Sequence, residues 1–408
     1  MFRLTVMSRD VMNDRTCPER NGFSLRLQLQ LFMAALLSVV LISVAAAGPR
    51  EQAKRIHDRL AGVPPTEDVL ADMEALIGVN NPQTAAAMAM QNPNFYNVTL
   101  KNFAAPWTNR EQSVFVPLND YIATVIGMIR DDVPFNTLLS ADILYIGAGN
   151  LGLPAYSSSN NNHYSQMEQQ GVDMMSGLVQ TPQSSVTGLP PGATAGIMTT
   201  RAAAEAFFVA GTNRAMFRFT LMNHMCNDLE QVHDVKLPPD RIRQDVSRSP
   251  GGDSRLFLNN CIGCHTGMDP MAQAFAYYNF NPDTGSIEYT PGQVQPKYFN
   301  NDSNFPFGYV TPDDRWDNYW RSGQNRFLGW SPGLPGSGNG AKSLGEELAN
   351  STAFASCQVK KVFRAVCLRP PEDIADRAQV DQMVASFTSS GYLMKQTFAD
   401  AAVYCMGQ

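Results

Sequence analysis

Charge is scarce in this sequence. Asp, Glu, Lys and Arg make up 17% of it, below the usual quarter, and form no long run of one sign. That excludes an acidic or basic interaction tail, and with 44% hydrophobic residues it excludes a disordered chain. Basic residues are outnumbered, 31 against 37 acidic ones, so no phosphate-neutralising surface and no nucleic-acid partner are expected. Beyond residue 47 no apolar run is long enough to cross a bilayer. No internal repeat is present, and neither Met nor His occurs between Ala272 and Gln382. What remains is a folded chain of 408 residues, enough for two or three domains.

Leu31 to Ala47 reads LFMAALLSVVLISVAAA, preceded by Arg20 and Arg26 and ending in small residues. That layout predicts a secretory signal peptide over 1–47; the competing reading is a retained N-terminal anchor. The long stretch ahead of Arg26 suggests a true start downstream of Met1. Cleavage removes five arginines and three acidic residues, leaving a formal charge of −8. It also discards Cys17 and leaves Cys226, Cys261, Cys264, Cys357, Cys367 and Cys405. An even number of cysteines in a periplasmic or extracellular chain predicts covalent pairing.

Residues 51–77 predict two helices broken at Gly62-Val63-Pro64-Pro65, with Thr66 capping the second. A further helical pair is expected over 118–145, loop over 147–192, and a helix pair split at Gly211 over 200–226. Residues 281–342, rich in Gly, Pro, Asn and aromatics, predict long irregular structure. Val359, Val362, Phe363 and Val366 begin a set of three amphipathic terminal helices. The expected architecture is mainly α: a helical N-terminal module (48–192), a helical connector (193–252) and a cytochrome c-like haem domain with long loops (253–408).

Cys261-Ile262-Gly263-Cys264-His265 is the C-x-x-C-H pattern of covalent haem c attachment. Two thiols add to the two vinyl groups of one porphyrin, and the next imidazole is held under the iron as proximal ligand. A zinc site would want a second Cys/His pair at ligand spacing, which is missing downstream, and a thioredoxin-like pair would want a βαβ setting. Phe257, one turn earlier on a short helix from Asp253 to Asn260, is expected on the porphyrin edge or in plain core. The candidates for the iron's other face are Met383, Met394 and Met406 in the terminal helices, or Met222, His224, Met225 and His233 upstream. Each is, taken alone, more often a core or surface residue. An open sixth position is the alternative. Arg201, Arg214, Arg218, Lys360 and Arg364 are candidate cations for the haem propionates.

Four thiols are then left. Cys357 and Cys367 bracket one helix, about 15 Å apart at about 1.5 Å per residue, beyond the reach of a disulfide at about 7 Å. If the three terminal helices alternate in direction, the carboxyl ends of the first and third meet. The expected bonds are Cys367 with Cys405 and Cys226 with Cys357, against a reading of four free buried thiols.

Several stretches together resemble planctomycete-type exported haem c proteins built from domains of unknown function. They are DDVPFNTLLSADILY (131–145), AGIMTTRAAAEAF (195–207), CIGCHTGMDPMAQAF (261–275) and SLGEELANSTAFASCQVKKVFRAVCLRPP (343–371), leading to FTSSGYLMKQTF (387–398). The turn after Val366 departs from the family, which commonly has a glycine there. The resemblance implies a haem c carrier whose terminal helices close around the haem, with Cys261 and Cys264 as attachments and His265 as proximal ligand. The expected function is mono-haem electron transfer with another redox protein. The alternative is a haem enzyme whose substrate pocket is lined by Tyr298, Phe305, Phe307, Tyr309, Trp316, Tyr319 and Trp320, unless these residues only cover the haem.

Overall fold

Prolines and capping side chains set the first helices. In the computed structural model residues 47–209, 212–243, 254–299 and 308–407 are described, so the expected signal peptide apart from Ala47, and Gly211, Phe305 and Phe307, lie outside them. Pro49 opens α1 (Pro49–Ala61), its fixed φ suiting a first helical turn, and Gly62 at φ 72° ends it by donating to the Asp58 carbonyl. Thr66 caps α2 (Glu67–Gly78) by accepting from the Val69 N–H, as the sequence predicts. α3 (Pro82–Ala89) packs on both. Asn119 caps α4 (Asp120–Arg130) by accepting from the Ile122 N–H, and every residue from Asp120 to Ile129 is buried.

The second helix expected over 118–145 does not form. A 3₁₀ turn at Phe135–Thr137 leads instead into β1 (Leu144–Gly147), which pairs antiparallel with β2 (Leu178–Thr181). The reason is tertiary. The Leu138 carbonyl accepts from the Ile197 N–H at 3.1 Å, and a Cβ on either Gly196 or Gly345 would overlap the carbonyl oxygens of Leu138 and Leu139. Two glycines from distant segments thus close on consecutive peptide groups, and the Leu138 carbonyl is spent on Ile197 rather than on a helix. The stretch 147–192 is also more regular than expected: it carries α5 (Asn162–Gln169) as well as β2.

The pair expected over 200–226 forms as α6 (Arg201–Phe207), capped by Thr200, and α7 (Arg214–Met225). Next come α8 (Ser254–Asn260) and α9 (Ile262–Ala272). The region 281–342 is largely irregular, with two small antiparallel strand pairs at it: the hairpin of β3 (Tyr278–Asn281) with β4 (Ser286–Tyr289), and β5 (Arg315–Asp317) with the more distant β6 (Ser337–Asn339). The chain closes with α10 (Gly340–Ala349), which the sequence reading missed, then α11 (Thr352–Cys367), α12 (Ile374–Ser389) and α13 (Met394–Tyr404).

The structure is mainly α. One continuous core draws Ile56 and Leu60 from α1, Ile122 and Ile126 from α4, Phe217 and Leu221 from α7, Met268 and Met271 from α9, and Val359, Val362 and Phe363 from α11. All three segments expected from the sequence therefore contribute to it. α7 packs on both α9 and α11, which places the C-x-x-C-H helix and the terminal helices on one common strut.

The two disulfides are those expected. Cys367 ends α11 and bonds Cys405 just after α13, with Cα atoms 5.5 Å apart; Cys226, ending α7, bonds Cys357 within α11, at 5.2 Å. They close loops spanning 38 and 131 residues. Chain entropy gives about 4 kcal/mol for the shorter and about 5 kcal/mol for the longer. Replacing both members of each pair by Ser should therefore lower the stability measured by urea unfolding, with Cys226/Cys357 the costlier. Negligible losses would show that neither loop constrains the unfolded chain, and a smaller loss for Cys226/Cys357 would overturn the ranking by loop length.

Candidate functional site

Cys261 stands at the junction of α8 and α9. Its N–H donates to the Phe257 carbonyl at 2.9 Å, and its own carbonyl accepts from the N–H groups of both Cys264 and His265 at 3.2 Å. The motif is thus a closed first turn of helix. It presents two thiols one turn apart, with the imidazole beside them. Both thiols are unpaired and half-buried. Cys264 Sγ donates to the Leu229 carbonyl at 3.6 Å, and burial raises its pKa, helped by Glu230, Asp228 and Cys261. It is therefore a protonated thiol rather than the low-pKa thiolate of a disulfide oxidoreductase.

Beneath the motif the helix is held closely. A Cβ on Gly263 would overlap the His233 imidazole, and the Gly263 carbonyl accepts from the Asp234 N–H at 3.0 Å. Thr266 Oγ1 donates to the Asp234 carbonyl at 3.0 Å. One turn on, a Cβ at Gly267 would overlap the indole of Trp320, which is fully buried.

His265 projects from α9 with 19% of its side chain exposed. Its Nδ1 lies 3.2 and 3.3 Å from the two carboxylate oxygens of Asp269, one turn later. Asp269 is wholly buried, and Arg214 of α7 grips it with two hydrogen bonds, Nε to Oδ1 at 2.7 Å and Nη2 to Oδ2 at 3.0 Å. Arg243 Nη2 stands 3.9 Å from Oδ1. Burial alone would push this carboxyl up, but Arg214, His265 and Arg243 hold it far below the usual carboxylate range. With an ionised acceptor on Nδ1, the proton belongs there and Nε2 keeps its lone pair for a metal. Phe257 is buried with Ile242 against Cys261 and Ile262, its ring 5.9 Å from that of His265.

Two thiols, one imidazole with a free Nε2 and an adjacent apolar cluster match the needs of a covalently attached haem. Among the described residues no three His, Cys, Asp or Glu side chains are grouped to hold a bare metal ion. A haem iron takes one protein nitrogen from this side and has no use for such a group.

The structure brings Cys261, Cys264, His265 and Phe257 together and places the candidates for the other iron face on other elements. Met383 of α12 and Met394 of α13 are buried in the core; these helices pack on α11 and on each other, and α13 also on α1 and α3. The Met406 carbonyl accepts from Arg55 of α1 at 3.1 Å. His224 of α7 is buried, its Nε2 2.8 Å from the Tyr121 hydroxyl and its ring edge-on to Trp107; burial and then Lys361 push its pKa well down, so it is neutral. His233 packs against the motif itself.

Three of the five cations expected for propionates already serve carboxylates: Arg201 binds Glu205, Arg214 binds Asp269 and Arg218 binds Asp228. Of the aromatic set, Tyr298, Trp316 and Trp320 are fully buried. Trp320 supports α9, and Trp316 Nε1 donates to Ser343 Oγ of α10 at 2.8 Å, so these two serve as packing. Sequence reasoning missed Asp269. Its four-residue spacing from His265 was visible, but its partner Arg214 lies 55 positions away. No family model, no curated protein and no solved structure matches the chain.

Gly267 sets how closely α9 approaches Trp320 and thereby where the motif sits. Gly267→Ala should cost about 1–3 kcal/mol of stability, because a fully buried indole has no room to yield. Urea unfolding with an unchanged midpoint would show that the contact is not needed.

Proposed function

We propose that this chain is an exported c-type haem protein that exchanges electrons with another redox protein. One haem is joined to Cys261 and Cys264, and His265 is the proximal iron ligand. The observation that carries the reading is the arrangement of those three side chains: two unpaired thiols on one helical turn and an imidazole whose Nδ1 is engaged by Asp269, leaving Nε2 free. The resemblance to planctomycete-type haem c proteins and the expected signal peptide support it. So do the two disulfides, which suit an oxidising compartment. Residues 253–408 would then be the haem-carrying part.

When bound, haem supplies one-electron redox chemistry at its iron. The chain's own residues do the rest. Cys261 and Cys264 fix the group's position, and Asp269 and Arg214 orient His265. Phe257 and Ile242 offer an apolar surface that keeps water from the proximal side.

A second reading, a haem enzyme with an open sixth position acting on peroxide or another small substrate, is favoured by one observation. Met383, Met394 and His224 are buried among partners of their own.

The mature chain, made in a host with haem c maturation, should carry one covalent haem by mass and by pyridine haemochrome spectrum. Cys261→Ser with Cys264→Ser should abolish it. A reduced spectrum unmoved by carbon monoxide supports the carrier, and one that shifts favours the enzyme. A mature chain without covalent haem overturns both.

A further inference from the structure

On the haem-binding reading above, we infer that Asp269 is a positioning residue that fixes His265 as an Nδ1–H donor and enriches its Nε2 in electron density, with Arg214 as the counterweight that sets how much of that charge His265 receives. The basis is geometric. In a helix, residues four apart lie on one face, so Asp269 reaches His265 without any distortion of α9. The distances to its two oxygens, 3.2 and 3.3 Å, share the Nδ1–H between them.

Asp269 is wholly buried, so its charge is screened less than a surface charge. It is also held in place. Arg214 occupies both oxygens from α7, and Arg243 approaches one of them. The carboxylate therefore has two kinds of client, a guanidinium that neutralises it and an imidazole that draws on it. Hydrogen bonding to the far nitrogen of a metal-bound histidine raises its basicity, and second-shell hydrogen bonds are a recognised control of haem potential. The inferred effect is a lowered reduction potential, graded by the grip of Arg214.

A purely structural staple between α7 and α9 would use the same atoms, so the test needs a readout that a staple does not move. In the holoprotein, Asp269→Asn keeps the shape and removes the charge. The expected result is an upward shift in midpoint potential. It should be accompanied by an upfield shift and faster exchange of the His265 Nδ1–H proton in the reduced protein, or by a lower iron–histidine stretching frequency if the sixth position is open. Arg214→Lys keeps the positive charge but releases one oxygen, and should shift each readout the opposite way.

Covalent haem with unchanged potential and unchanged His265 signature in Asp269→Asn overturns the inference while leaving the haem reading intact. If that variant yields no folded holoprotein, Arg214→Lys decides: an unmoved His265 signature overturns the inference. A parent protein without covalent haem removes the reading on which it rests.

Discussion

Asp269 is an ionised carboxylate with no exposed surface, and the arrangement around the motif follows from satisfying it. A charge taken out of water costs several kcal/mol unless it is paired and hydrogen-bonded. Arg214 meets that cost with two short hydrogen bonds, which requires the start of α7 to lie directly on α9. His265 and Arg243 complete the set. The helix that carries the thiols is thus anchored by electrostatics as well as by apolar packing, and its register against α7 cannot slip without stranding a buried charge.

α7 transmits this constraint. At its start Asn213, in the left-handed region at φ 60°, donates from Nδ2 to the carbonyls of Phe275 and Tyr278 at 2.8 and 2.7 Å. Lys297 donates to Asn213 Oδ1 at 2.6 Å, and to Phe208 and Asn279. Burial pulls this amine down to about 7, while its three acceptors take up all three protons of the charged form. At its far end Cys226 bonds α7 to α11. One helix of 12 residues is therefore fixed at one end to the irregular region and at the other to the terminal helices.

What the sequence made legible was local or covalent. The start of α2 follows from Thr66 as cap, and the break before it from Gly62-Val63-Pro64-Pro65. The disulfides follow from rigid helix length and an alternating hairpin of helices. Illegible were features created by contacts between remote segments. After Pro134 the chain has apolar residues enough for a helix, yet Gly196 and Gly345 approach the Leu138 and Leu139 carbonyls so closely that the local preference loses. The Gly-Ser-Gly-Asn-Gly run before α10 reads as loop, and only its last glycine, at φ 74°, opens a helix. Of the arginines expected at propionates, Arg201 and Arg218 bind carboxylates four and ten residues along the chain, and only Arg214 binds a remote one, Asp269, 55 positions away.

The faces of α9 divide the labour at the site. At about 100° per residue, Cys261, Cys264, His265 and Met268 fall on one stripe, while Gly263, Thr266 and Gly267 fall opposite, where His233, Asp234 and Trp320 press against them. The clamped face leaves the backbone no freedom. The other face keeps its first three side chains half-buried until Met268 closes the stripe. Asp269 lies on the flank between them, the position from which one carboxylate can reach both His265 above and Arg214 beside it. On the haem reading proposed above, a rigid helix with Cys261, Cys264 and His265 partly open would suit electron exchange, which needs little atomic rearrangement and an accessible edge. An enzyme would instead need the same stripe enclosed by a substrate pocket.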